Sequence, residues 1–201
     1  MRFPLCNIRI SPVCSLHSIH AGRIDSYELC EYTGPFENFG GRHHECTSDC
    51  ADLHSAFDRC RSVRVESGVF VVYDRPGYTG TQHLMRRGEY SDYTGMTGMT
   101  DCVRSCRVIP AHGGGYKMRL YEHFDMRGEM VELTDNCPNL SERFRASNFN
   151  SCNVVDGHWL MYEQPNYRGR HFYVRPGQYK SFGEWSAGNS RLGSVRRLTD
   201  L

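Results

Sequence analysis

The chain has 201 residues, room for one large domain or two small ones, and its formal net charge of +1 excludes a global field for nucleic acid or an acidic membrane surface. The longest apolar run, VFVVY at 69–73, is far too short to span a bilayer. Of 24 basic residues only Lys117 and Lys180 are lysines, and 12 Tyr, 10 Phe, 8 Met and 10 Cys stand beside the arginines, a composition rich in polarisable side chains.

Residues 1–26 carry no repeat and no strand alternation, and Pro4 and Pro12 oppose a helix. They are expected to be a disordered extension. Arg9 and the two prolines interrupt any apolar stretch, so no signal peptide is expected. Residues 27–42, YELCEYTGPFENFGGR, then present a pattern one and a half times over: aromatic, acid, three residues, aromatic, one residue, glycine.

The pattern returns as YDRPGYTG at 73–80, YEHFDMRG at 121–128 and YEQPNYRG at 162–169, with Met126 in the second aromatic slot of the middle copy. About thirty residues after each copy a serine precedes an apolar strand: SCRVIP at 105–110, SCNVVDG at 151–157 and SVRRL at 194–198. SVRVESG at 62–68 is a fourth such segment and closes the first repeat. Four repeats of this length define the organisation. FVVY, MRLY and WLMY ahead of the pattern read as short strands. Gly80, Gly128 and Gly169, two positions after the aromatic slot, permit positive φ and let an aromatic ring lie across the backbone.

PAHGGGY at 110–116 reads as a linker between two pairs of repeats. One repeat cannot cover its own apolar face, so the repeats must pair. The expected fold is all-β, with two domains that are each a β-sandwich of two Greek-key motifs. The boundaries are 27–109 (motifs 27–68 and 69–109), a linker at 110–115, and 116–201 (motifs 116–157 and 158–201).

The ten cysteines form no CxxC; six of them lie in the first 60 residues, and with no signal peptide they are expected to be mostly reduced. In RHHEC at 42–46 the adjacent His43 and His44 of a strand would point to opposite faces, which opposes a shared metal ion. No GxSxG, HExxH, P-loop or dinucleotide fingerprint occurs, and Asp74, Glu122 and Glu163 recur as parts of the repeat. No catalytic, cofactor or metal residue is therefore assigned.

From about Phe39 to Leu201 the chain resembles the βγ-crystallins, and within them the gamma-crystallins of vertebrate lenses. The resemblance rests on RHHECTSDC, SVRVESG, VVYDRPGYTG, RRGEYSDY, DCVRSCRVIP, YKMRLYE, DGHWLMYEQPNYRGR and RPGQYKSFGEW. It implies that Tyr73, Tyr121 and Tyr162 pack over folded hairpins, that Gly80, Gly128 and Gly169 make room for them, and that Ser105, Ser151 and Ser194 bond back to those hairpins. It also implies an apolar domain interface, with Val71, Leu84 and Ile109 facing Leu160, Tyr173 and Leu198 and the Tyr173 hydroxyl reaching the rim. The second domain keeps Trp159 and Trp185, whereas the first has Phe70 and Met96, as in the methionine-rich fish proteins.

Counting back from Ser62 at the family spacing puts Phe39, Gly41 and Arg42 in register but Gly34 and Pro35 where tyrosine and acid belong. Taking Tyr27, Glu28, Tyr32 and Gly34 as the signature restores the pattern at the cost of seven inserted residues. The first register is favoured, so the first motif is expected to lack its opening strand.

Some relatives bind calcium through paired Asn/Asp residues and a hydroxyl. Here FDRCRS, TDCVRS, SNFNS and SRLGS keep only Asp58 and Asp101 of those acids, and Arg61 and Arg104 replace the hydroxyl, which opposes a hard cation. The resemblance implies a structural constituent of the eye lens, cytoplasmic in lens fibre cells and non-enzymatic. The protein is expected to be a monomer meeting other crystallins by weak short-range contacts, with no nucleic acid, membrane, substrate or cofactor. The alternative is a calcium-binding or stress-related module outside the lens.

Overall fold

In the computed structural model of the chain, residues 23–27, 43–53, 62–90, 103–185 and 188–199 are described, the first five by their backbone alone. They form fourteen strands in four antiparallel sheets, with one short α-helix among them, α1 (Leu140–Phe144), and three single 3-10 turns. Asn139 caps that helix by accepting from the Glu142 amide at 3.2 Å, as N-cap asparagines do.

The first sheet has the order β2–β1–β3–β6, built from β1 (Arg23–Tyr27), β2 (His43–Cys46), β3 (Ser62–Ser67) and β6 (Gly88–Tyr90). The second is β5–β4–β7, from β4 (Val69–Arg75), β5 (Thr79–Met85) and β7 (Ser105–Ile109). Each repeat lends a segment to the other's sheet. β6 of the second repeat pairs with β3 of the first, and Cys50 of the first repeat bridges Cys106 of β7 through amide bonds of 2.8 and 2.9 Å. This exchange is the Greek-key crossing, and it makes neither repeat separable from its neighbour.

The second half repeats the plan. β13–β10–β8–β9 comprises β8 (Lys117–Tyr121), β9 (Met130–Leu133), β10 (Ser151–Asp156) and β13 (Gly177–Tyr179). β12–β11–β14 comprises β11 (Trp159–Gln164), β12 (Arg168–Val174) and β14 (Ser194–Arg197), and Cys137 bridges Val195 as Cys50 bridges Cys106. Two β-sandwiches result.

The strand β1 corrects the sequence reading. It lies at Arg23–Tyr27, partly inside the segment expected to hold no strand, and it occupies the opening-strand position of the first motif. Its register identifies the signature tyrosine. Tyr27 pairs with Ser62 as Tyr73 pairs with Ser105, Tyr121 with Ser151 and Tyr162 with Ser194. The tyrosine of the first motif is thus Tyr27, in the register that needs the insertion. Counting at fixed spacing failed because 35 residues separate Tyr27 from Ser62, against 30 or 32 in the other motifs. Residues 1–22 and 28–42 lie outside the described residues, as does Met96.

Alternation divides the strands into two kinds. In β3 and β8 only one face is apolar: Val63 and Val65, and Met118 and Leu120, are buried, while Arg64 pairs with Glu89 and Arg119 with Glu132. In β4 and β11 both faces are covered. Phe70 and Val72, and Trp159 and Met161, enter the cores of their own sandwiches. Val69, Val71 and Tyr73, together with Leu160, turn the other way into a third apolar cluster. Burial on both faces is why VFVVY and WLMY read as unbroken apolar runs. Phe70 takes in the first core the place that Trp159 takes in the second, three residues ahead of the signature tyrosine, and both are fully buried.

Candidate functional site at the domain junction

The signature hairpins are built alike in three motifs. Ser105 Oγ donates to the Arg75 carbonyl at 2.7 Å and accepts from the Tyr78 amide at 3.0 Å. Ser151 donates to His123 at 2.5 Å and accepts from Met126 at 2.9 Å, and Ser194 donates to Gln164 at 2.7 Å and accepts from Tyr167 at 2.9 Å. In every case the amide held belongs to a residue in the left-handed region, with φ of 63° at Tyr78, 58° at Met126 and 60° at Tyr167. A left-handed backbone costs about 1–2 kcal/mol for a residue with a Cβ, so the serine fastens a conformation the chain would otherwise leave.

In two motifs the tyrosine ring lies against its hairpin, Tyr73 edge-on to Tyr78 at 5.9 Å and Tyr162 to Tyr167 at 5.7 Å. The signature glycines make room for a different group. A Cβ on Gly80 would collide with the Asp74 carboxylate, one on Gly128 would meet His123 at 2.9 Å, and one on Gly169 would meet Gln164 at 3.2 Å. What crosses each glycine is a side chain one or two positions after the tyrosine, and in the second motif it serves the hairpin: Asp74 Oδ1 accepts from the Thr81 amide at 2.8 Å.

The third apolar cluster contains Val71, Ile109, Leu160, Tyr173 and Leu198, all buried, with Leu84 packed against it. Val71 stands opposite Leu84 and Leu160 opposite Tyr173 in their sheets. Val69, Tyr73, Tyr78 and Tyr162 also belong to it, and the sequence reading had not assigned them there. Full burial of each such aliphatic side chain contributes about 1.5–3 kcal/mol. The Tyr173 hydroxyl does not run out to the rim. It meets His158 Nδ1 at 2.9 Å, and both residues are buried.

A polar ring surrounds the cluster, and its members were missed because their partners lie 58 to 126 residues away in sequence. Gln82 of β5 accepts from the Tyr173 amide through Oε1 at 2.8 Å and donates through Nε2 to the Trp185 carbonyl at 3.1 Å. The Leu84 amide donates to His171 Nε2 at 3.2 Å. Asp49 Oδ1 accepts from the Val108 amide at 3.0 Å, while its Oδ2 meets Arg107 at 3.2 Å and Arg175 at 3.3 Å, one arginine from each half. Arg107 also lies 3.6 Å above the Tyr78 ring. Between the halves, Arg107, Arg175, Tyr78, Tyr179 and Glu184 line a cavity of about 340 Å³.

Gln82→Glu is expected to cost about 1–3 kcal/mol at neutral pH, because a carboxylate oxygen would then face the Trp185 carbonyl where an N–H now donates. The loss should shrink on acidification towards the carboxylic-acid range, where the protonated group donates again. Urea unfolding at two pH values measures both effects, and an unchanged midpoint at neutral pH would refute the assignment of the amide.

Cys46, Cys50, Cys106, Cys137 and Cys152 are free thiols. A side-chain hydrogen bond with Cys46, and burial, push the Cys106 thiol far up, and burial does the same to Cys152, so neither is a ready thiolate. Among the described residues no group of three or more His, Cys, Asp and Glu side chains is placed to hold a metal ion. Asp58, Arg61 and Asp101 of the calcium-type stretches lie outside the described residues.

Paired Greek keys in two halves, with the three described signature hairpins each locked by a returning serine, define a two-domain protein of the βγ-crystallin fold. The family model described as Beta/Gamma crystallin matches residues 35–109 and 117–198, and the chain belongs to that family. Gamma-crystallin M3 of Cyprinus carpio is 55% identical over 164 residues, covering 82% of this chain and 94% of the relative. Gamma-crystallin 2 of Rana temporaria and gamma-crystallin B of Homo sapiens are each 49% identical over 163 residues, covering 81% of this chain and 96% and 93% of the relatives. The family match begins downstream of β1, which pairing geometry alone assigns to the first motif.

Proposed function

We propose that this protein is a structural constituent of the eye lens, a densely packing protein of high refractive index that acts without catalysis. The observation that carries the reading is the identity of about half of the aligned positions, which cover 81–82% of the chain, with gamma-crystallins of fish, frog and human. Composition supports it: 22 of the 24 basic residues are arginine, and Tyr, Phe, Met and Cys add polarisable volume. A near-zero net charge limits single-sign repulsion and favours close approach between neighbouring molecules. The protein works as a monomer in the cytoplasm of lens fibre cells, touching other crystallins by weak short-range contacts. The apolar cluster around Val71, Leu84, Ile109, Leu160, Tyr173 and Leu198 serves in this reading as the seal that holds the two domains in one compact body. Among the described residues no helix is long and apolar enough to cross a membrane.

Two measurements test the reading. The specific refractive increment of the purified protein is expected to exceed that of an average protein; an ordinary value removes the compositional argument. Transcript localisation should place expression in lens fibre cells, and expression confined to other tissues would refute the lens assignment.

A further inference from the structure

Two histidines border the apolar cluster between the domains, and one of them, His171, is held across the junction in a form that a proton would disrupt. His171 of β12 receives the Leu84 amide of β5 on its Nε2. A backbone amide can only donate, so this imidazole carries its hydrogen on Nδ1 and is neutral. A second proton would set donor against donor across the junction.

The groups around His171 offer its charge little help. Its ring stands edge-on to His83 of β5 at 5.6 Å and lies 5.9 Å from Tyr162 of β11. Asp74 and Arg75 of β4 and Arg170 of β12 line the same cavity of about 280 Å³. The nearby acids are engaged elsewhere, Asp74 with the Thr81 amide and Glu163 with Arg170.

Beside Tyr173 of the cluster, His158 bonds the Tyr173 hydroxyl, stacks on the Tyr173 ring at 5.9 Å, and meets the linker residue His112 edge-on at 5.8 Å. Arg175 beyond β12 disfavours a charge on His158, and Asp156 of β10 is the one acid that favours it. His112 itself is 2.7 Å from the Gly115 carbonyl and 3.4 Å from Asp156.

We propose that His171 makes the pairing of the two domains acid-labile: the junction is closed at neutral pH, and protonating this imidazole opens it while each domain stays folded. Burial pushes both imidazoles down to about 4, with the charges of His83, and of His112 and Arg175, adding in the same direction. The sign follows from linkage. A separated second domain takes up the His171 proton near the ordinary histidine value of about 6.5, whereas the closed form resists it down to about 4. Closure is therefore fully supported above the first value and loses support progressively towards the second. A shift of this size moves the equilibrium between closed and open forms by on the order of a hundredfold. The cores of the two sandwiches contain neither histidine, which is why opening precedes unfolding.

The test follows the full-length protein by small-angle scattering and tryptophan fluorescence between pH 7.5 and 4.5. Both tryptophans lie in the second domain and report its integrity. The expected result is a rise in radius of gyration below about pH 6 with unchanged tryptophan emission. In His171→Gln, whose amide oxygen can accept the Leu84 amide without titrating, the midpoint should fall by at least about half a pH unit. Constant dimensions down to pH 4.5, expansion coincident with tryptophan exposure, or identical midpoints in the two proteins would each overturn the proposal. If the variant does not fold, the His171 ring proton titration in the native protein decides: a midpoint near 6.5 with the domains still closed refutes it, and titration only as the molecule opens supports it.

Discussion

Replacing Ser194 with alanine is expected to lower the stability of the second domain by about 2–4 kcal/mol. Ser194 is fully buried, and its single hydroxyl serves two main-chain groups, the Gln164 carbonyl and the Tyr167 amide. Leaving a buried donor or acceptor without a partner costs about 1–3 kcal/mol, and here one substitution strands one of each. The hairpin they belong to holds Asn166 and Tyr167 at φ of 58° and 60°, and loss of the hydroxyl removes a tie that opposes relaxation. Trp159 and Trp185 share the core of this domain, so fluorescence-detected urea unfolding reads the change directly. A loss below about 0.5 kcal/mol would mean that water replaces the hydroxyl and that the serine is not the lock its geometry describes.

The same geometry explains what could be read from the chain beforehand. A repeat whose tyrosine, glycine and serine recur at nearly fixed intervals exposes its own topology, because Tyr73, Tyr121 and Tyr162 each pair with the serine of their motif. The unbroken runs in β4 and β11, set against the alternation in β3 and β8, also carried the information that motifs two and four have a second covered face. Two kinds of feature were not legible. Fixed-interval counting cannot see an insertion, and so Tyr27 was passed over for Gly34, although pairing with Ser62 identifies it at once. Polar contacts between residues about a hundred positions apart leave no local trace. Gln82 looks like any strand glutamine until β12 and the Trp185 carbonyl are brought beside it. Likewise a tyrosine at position 173 suggested a rim hydroxyl only because the sequence gives no reason to place His158 next to it.

Truncating Leu84 and Leu160 singly and together is expected to show a coupling of about 0.5–1.5 kcal/mol. Leu160→Ala alone should cost about 2–4 kcal/mol, since the side chain is 3% exposed and its removal leaves a void among packed neighbours. Leu84 is partly exposed and its truncation should cost less, about 1–2 kcal/mol. The two side chains come from different domains and enter one cluster, so removing the first leaves the second less apolar surface to cover. If instead each merely filled its own domain, the double variant would lose the sum of the single losses, because sites that share no partner add. The pattern of unfolding discriminates further. A shared cluster means that Leu160→Ala, a change in the second domain, also lowers the denaturant concentration at which the first domain unfolds. Strict additivity, together with a first domain indifferent to position 160, would show that the cluster contributes nothing to domain pairing.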